Sequence, residues 1–211
     1  MNYLNELYSG VDQGHLAIWH KSSKQTRWFP LSELEDATAY MKQASETGDV
    51  YFGWGVQQSP LGSRKRGDSA SVCALPGFMF DIDLFSAEGA HATAALPKSP
   101  EEVSAFIEEV GFVKPTAIRH SGNGLYYDWL LLSPLILDTK EDNARAADVS
   151  RRLQAALIAL GNRLHGWKLD NTSDLARVTR VPGTKNCVIR PIAGTDSDAT
   201  RAAFRRSRAV R

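Results

Sequence analysis

The run Phe78-Met79-Phe80-Asp81-Ile82-Asp83-Leu84 constrains this 211-residue chain more than any other stretch. Its apolar positions call for burial, yet two carboxylates sit inside it one residue apart. In a strand, residues i and i+2 share a face. Asp81 and Asp83 therefore project side by side, while Phe80, Ile82 and Leu84 turn toward a core. Two carboxylates on one strand face repel each other and lose hydration, a cost that a cation offsets. Oxygen ligands of this kind suit Mg²⁺ or Mn²⁺. An isolated Asp-x-Asp also fits a solvated strand end or a turn, so the rest of the chain has to decide.

The length allows one large domain or two small, closely packed ones. With 43% hydrophobic and 23% charged residues, the chain reads as an ordinary soluble globular protein. It contains no apolar run long enough to span a membrane, and its first residues lack the basic and apolar segments of a secretory signal. A cytoplasmic location is expected. Cys73 and Cys187 stand apart from any Cys-x-x-Cys pair, so no zinc is expected and both read as free buried thiols. The net charge of +1 is uninformative, but its distribution is not. Arg64-Lys65-Arg66 is a basic triplet, and Arg201, Arg205, Arg206, Arg208 and Arg211 crowd the last eleven residues. Such clusters contact phosphates, or else form a solvated loop and tail.

Helices and strands alternate irregularly along the chain. Residues 15–20 and 26–29 read as a hairpin. Ser32-Glu33-Leu34-Glu35 reads as a capping box opening a helix to about Ser45, and Val50 to Val56 as one strand. A polar loop, 57–71, carries the basic triplet and leads to a strand from about Ala74 to Leu84. After a loop, Ser99-Pro100-Glu101-Glu102 starts a second helix, ending near Gly111. Residues 115–120 and 125–132 form strands about Ser121-Gly122-Asn123-Gly124, where Asn-Gly is a hairpin signal. Thr139 caps a long helix to about Leu164, with Val149, Leu153, Ala156, Leu157 and Leu160 at helical spacing. Residues 176–181 and 187–192 read as strands. Hairpins with few strand-helix-strand crossovers predict an α+β fold with mixed or antiparallel sheets.

Three candidate sites stand in order: Asp81-x-Asp83, the Ser121–Gly124 turn, and Asp170 with Arg177 and Arg180 ahead of Pro182-Gly183-Thr184. A glycine-rich turn exposes backbone N–H groups that hold phosphate oxygens, although the same sequence also makes a plain hairpin. Taken together, the order and wording resemble the archaeo-eukaryotic primase superfamily, in particular the primase-polymerase domains of phage and plasmid replication proteins. The features that carry the resemblance are Val50-Tyr51-Phe52-Gly53, the basic loop Arg64-Lys65-Arg66-Gly67-Asp68, Asp81-x-Asp83, Ser121 to Trp129, and Asp170 through Pro182-Gly183-Thr184-x-Asn186. They cover about residues 50 to 190.

The resemblance implies a catalytic core like the RNA-recognition-motif sheet, over about 75–192, packed with an N-terminal α/β unit built from about 1–75 and later elements. Together they form one primase-polymerase domain over 1–200, with 193–211 a basic tail or linker. It implies a template-dependent nucleotidyltransferase that makes and extends primers. Asp81, Asp83 and Asp170 would bind two Mg²⁺ or Mn²⁺ ions, with Asp174 the alternative to Asp170. Ser121, Gly122, Asn123, Gly124, Tyr126, Arg177, Arg180 and Arg66 would contact the nucleotide or template. The implied partners are a single-stranded DNA template, a primer strand and NTP or dNTP, with a helicase domain in the full-length protein or in trans; no Walker A run occurs in this chain. One departure stands out. The family has histidine after the glycine turn, where this chain has Tyr126, and His120 is a candidate substitute. A tyrosine hydroxyl donates a hydrogen bond but carries no charge, so the alternative reading is a catalytically reduced single-strand or origin-binding module.

Overall fold

The computed structural model describes residues 3–86, 95–184 and 189–190. The expected strand over 187–192 lies mostly outside the described residues, as do Cys187 and the basic tail. A short helix, α1 (Tyr3–Leu7), buries Leu4 and Leu7 and precedes the hairpin of β1 (His15–His20) and β2 (Gln25–Pro30). Then come α2 (Leu34–Ala44), β3 (Val50–Gly53), β4 (Val56–Gln57) and the long β5 (Val72–Asp83). They are followed by α3 (Pro100–Glu109), β6 (Ala117–His120), β7 (Gly124–Ile136), α4 (Lys140–His165), β8 (Val178–Arg180) and β9 (Ile189–Arg190).

The strands form a single sheet in the order β8-β3-β1-β4-β5-β7-β6-β9, with β2 also paired to β1. Every recorded pairing is antiparallel. The architecture is α+β, as expected. Two apolar clusters lie along the sheet. One joins Leu4, Leu7, Met41, Ile18, Phe52 and Leu75 beneath α1 and α2. The other packs Phe80, Ile82, Leu125 and Tyr127 against Val103 and Phe106 of α3 and Leu157 of α4. Each of these side chains contributes roughly 1.5–3 kcal/mol by leaving water.

Several local expectations change. The Ser32 capping box does not form: Leu31–Glu33 is a 3₁₀ turn, and α2 starts at Leu34 with no side-chain cap. The Leu31 N–H donates to the Gly14 carbonyl at 3.1 Å, which draws the chain tight as it leaves β2. Val50–Val56 is two strands, both paired to β1 and separated at Trp54-Gly55. A Cβ on Gly55 would lie 2.4 Å from the Leu175 carbonyl oxygen, so glycine admits a second backbone there. Thr139 does form its capping box, with Asp142, but the buried face of α4 is Ala146, Ser150, Gln154, Leu157 and Gly161. Val149 is exposed. Polar Ser150 and Gln154 are buried because they anchor the chain that follows the helix, a role that apolar periodicity does not encode.

Candidate active site

The site begins with the alternation along β5. Phe80 and Ile82 pair across to Tyr127 and Leu125 of β7, within the core beneath α3 and α4. Asp81 and Asp83 pair with Tyr126 and Gly124 on the other face, which opens into a cleft of about 600 Å³. Gly124 brings β7 tight against the second carboxylate. A Cβ there would lie 2.5 Å from the Ile82 carbonyl oxygen and 2.9 Å from Asp83 Cα. The turn before it has its positive φ at Gly122 (98°), and Ser121 N–H donates to the Gly124 carbonyl at 2.9 Å. Glycine at the first central position does the turning, so the expected Asn-Gly turn is displaced by one residue. Gly124 is already in the strand, where close packing against β5 is its role.

Burial is the first cause, and the Asp83 charge the second, of a rise in the Asp81 pKa from 3.8 to about 7. Arg177, Arg119 and Arg180 partly offset it. Asp81 Oδ1 is buried with no hydrogen-bond partner among the described residues. The backbone beside it is well held. Asp81 N–H donates to Thr172 Oγ1 at 3.3 Å, and Thr172 N–H donates to Gln154 Oε1 at 2.8 Å. Gln154 Nε2 donates to the Met79 carbonyl at 2.9 Å. Ser150 Oγ donates to the Ser173 carbonyl at 2.9 Å. The polar face of α4 thus fastens the 172–174 segment to the edge of β5.

Behind the carboxylates lies a buried ion pair. The Arg119 side chain is fully buried, and its Nε and Nη2 donate to Asp128 Oδ2 and Oδ1 at 2.6 and 2.9 Å. Arg119 Nη1 donates to Thr179 Oγ1 at 2.9 Å and to the Arg180 carbonyl at 3.3 Å. Its guanidinium lies 4.6 Å from the Tyr126 ring centre and 5.5 Å from that of Trp54. One side chain on β6 therefore fixes β8, from the far end of the sheet, across the carboxylate face. That closure makes the cleft.

By sequence, no protein-family model and no curated protein matches this chain. Solved structures do. The archaeo-eukaryotic primase (AEP) domain of the cyanophage S-2L primase-polymerase is 18% identical with a TM-score of 0.53, over 96% of this chain and 94% of that one. This chain shares the fold of that domain. Two structures of primase RepB′ are 12% identical. One has a TM-score of 0.47 over 98% of this chain and 60% of that one. The other, its catalytic domain in complex with initiator DNA, has a TM-score of 0.46 over 99% and 95%.

On this fold, Asp81, Asp83, Ser121, Asn123, Tyr126, Arg66, Arg177 and Arg180 all line the one cleft, with Gly122 and Gly124 in the backbone of its turn. Asp170 does not line it, whereas Asp174 does. Asp170 is exposed and lies ahead of the anchor at Thr172, whereas Asp174 follows that anchor and pairs with Arg177 at 3.6 Å. Among the described residues no three His, Cys, Asp or Glu side chains gather as a ready ligand set. Arg180 pairs with Asp49 at 3.1 Å. Tyr126 is 3% exposed, and its hydroxyl accepts the Arg180 N–H at 3.4 Å. Burial, followed by the Asp81 charge, raises its pKa, so the hydroxyl stays neutral. His120 pairs with Leu125, and strand alternation puts it on the face opposite Arg119, away from the cleft. His120, the expected substitute at this position, is thus not among the residues lining the cleft. Cys73 is a half-buried free thiol. Among the described residues, no helix is long and apolar enough to cross a membrane.

Arg119 and Asp128 were legible in principle: they are opposite charges in two apolar strands, set diagonally by the register of the turn. Tyr51 stood in the Val50–Gly53 strand that carries the resemblance, without a role in the site, and Thr172, Gln154, Trp19 and Asp49 gave no sign, because each meets the site through a segment distant in sequence.

Proposed function

We propose that this chain is a template-dependent primase-polymerase, a nucleotidyltransferase that makes and extends primers on single-stranded DNA. The observation that carries the reading is the Asp81–Asp83 pair, with a buried Asp81 oxygen that has no partner among the described residues, facing a cleft lined by Arg66, Arg177 and Arg180. An orphaned carboxylate oxygen beside a second carboxylate fits a divalent cation. Mg²⁺ is commonly held by one or two carboxylates together with substrate phosphates, so a third protein ligand is not demanded. Asp81 and Asp83 would hold it, with Asp174 as the nearer candidate for a third contact. When bound, such an ion lowers the pKa of a primer 3′-hydroxyl and neutralises charge on the transferring phosphoryl group.

This chain's own residues do the rest. Arg177 and Arg180 on the β8 side, and Arg66 from the loop between β4 and β5, meet the negative charge of a triphosphate. The Ser121–Gly124 turn offers its hydroxyl and backbone N–H groups to phosphate oxygens. Tyr126 is neutral and accepts the Arg180 backbone N–H, so the charge supplied by histidine in the family falls to the arginines. The 3′-hydroxyl releases its proton to solvent, its oxygen attacks the α-phosphorus, the bond from that phosphorus to the β-phosphate oxygen breaks, and pyrophosphate leaves.

Extension of a primed single-stranded template with Mg²⁺ or Mn²⁺ tests the reading. Incorporation by the parent and its loss in Asp81→Asn/Asp83→Asn is the expected result. Asp174→Ala is expected to lower the rate more than Asp170→Ala. Strand binding without incorporation under either metal would instead favour a non-catalytic module on the same fold.

A further inference from the structure

The carboxylates occupy one wall of the cleft. The other wall is a row of side chains crossing three strands. Arg180 of β8 pairs with Tyr51 of β3, and Tyr51 pairs with Trp19 of β1, so all three face the same way. The Arg180 guanidinium lies 5.2 Å from the Tyr51 ring centre. The Trp19 and Tyr51 rings meet at 5.3 Å. Arg66 comes down on the Trp19 ring at 4.9 Å, and all four residues line the cleft.

Arg66 belongs to the loop between β4 and β5, and that loop is tied down on both sides of it. Thr26 N–H donates to the Ser63 carbonyl at 2.7 Å, and Trp28 Nε1 donates to the Gly62 carbonyl at 2.9 Å. Beyond Arg66, Asp68 N–H donates to Gln57 Oε1 at 3.2 Å. A short tethered bridge thus delivers the guanidinium onto the indole.

We propose that Trp19 and Tyr51 are positioning residues that hold the guanidinium groups of Arg66 and Arg180 for a phosphate-bearing ligand. The inference rests on the reading of the cleft as a nucleotide and strand site. A guanidinium over a ring face presents its N–H groups around its rim, the geometry that suits phosphate oxygens. An arginine held on a ring has already lost rotamer freedom, so the ligand does not have to restrain it. Asp49 balances this wall at rest, 3.1 Å from Arg180 and 3.9 Å from Lys21, until the ligand brings its own negative charge. The phosphate belongs either to a free nucleoside triphosphate or to a strand backbone.

The test is equilibrium binding without turnover, so that it reads the wall whether or not incorporation occurs. One arm uses a labelled single-stranded oligonucleotide without nucleotide. The other uses a triphosphate with Mg²⁺ and no strand. Trp19→Leu is expected to weaken binding about two- to fivefold, the range of a cation–π contact at a solvent-facing site, and Trp19→Phe to retain it. Trp19→Leu/Arg66→Met should bind no more weakly than Arg66→Met alone. In the strand arm, Trp19→Leu should reduce the slope of log affinity against log salt by about 0.7, the loss of one phosphate contact, although Arg66 is still present. The arm that responds identifies the source of the phosphate. Unchanged affinity in both arms, or losses from Trp19→Leu and Arg66→Met that simply add, would overturn the proposal. If Trp19→Leu does not fold, the same cycle with Tyr51→Leu and Arg180→Met decides it.

Discussion

Asp81→Asn should make the protein more stable while abolishing incorporation. The Asp81 carboxyl is raised from 3.8 to about 7, by burial first and by Asp83 second. At about 1.36 kcal/mol per pH unit, an ionised Asp81 at pH 8 costs the fold about 4 kcal/mol without a cation. Asparagine removes the charge but brings an amide into the same place, at about 1–3 kcal/mol if it finds no partner. The expected net gain is therefore about 1–3 kcal/mol. The sign with pH follows from proton binding. Between about pH 4 and 7 the folded state keeps a proton that the unfolded chain has lost, so the parent loses stability as pH rises through that window. Below it both states are protonated, and above it both are ionised, so the cost stays constant. Because Asp81 and Asp83 interact, the midpoint belongs to the pair.

Urea unfolding in a chelator, at a series of pH values, measures this. The difference between variant and parent cancels the titration of other groups. It should grow from about pH 4 to 7 and then level off. Replacing the chelator with Mg²⁺ should restore the parent, by about 2.7 kcal/mol at a hundredfold excess over Kd, and the variant much less. A parent at least as stable as Asp81→Asn at pH 8 in chelator, or a flat difference across the window, would refute the reasoning.

Arg119→Met alone should cost about 3–5 kcal/mol, because it strands the buried Asp128 carboxylate, and Arg119→Met/Asp128→Leu should recover most of that loss in urea unfolding. Fully additive losses would show that the pair is not coupled. Gly124→Ala should cost about 1–3 kcal/mol, since its Cβ would meet the Ile82 carbonyl oxygen at 2.5 Å. A thermal melt should fall by about 2–4 °C for each kcal/mol, and primer extension should fall with it as Asp83 moves.

Legibility in the sequence followed the range of the interaction. The alternation of Phe80, Asp81, Ile82 and Asp83 is local, and it placed the carboxylates on one face. The Ser99 cap, which accepts the Glu102 N–H at 3.3 Å, and the Thr139 capping box are local as well, and both formed. The Ser32 box has the same letters but failed, because a backbone bond from Leu31 to Gly14, far back in sequence, decides how the chain leaves β2. Asp170 and Asp174 are equivalent as letters. The Thr172–Gln154 anchor between them puts only the second in the cleft.

The sequence by itself determined the strand carrying Asp81 and Asp83, the turn at Ser121, and the cations available to meet phosphate. These depend on strand and turn periodicities spanning a few residues. Tertiary structure decided what surrounds them: the Arg119–Asp128 pair that binds β6 to β8, the polar face of α4, and the Trp19–Tyr51 wall. Each joins residues from distant segments, and their value comes from excluding water and fixing geometry, which exist only once the sheet has closed. The same closure buries Asp81 and raises its pKa, so the chemistry of the most legible residue in the chain is set by contacts that form only when distant strands meet.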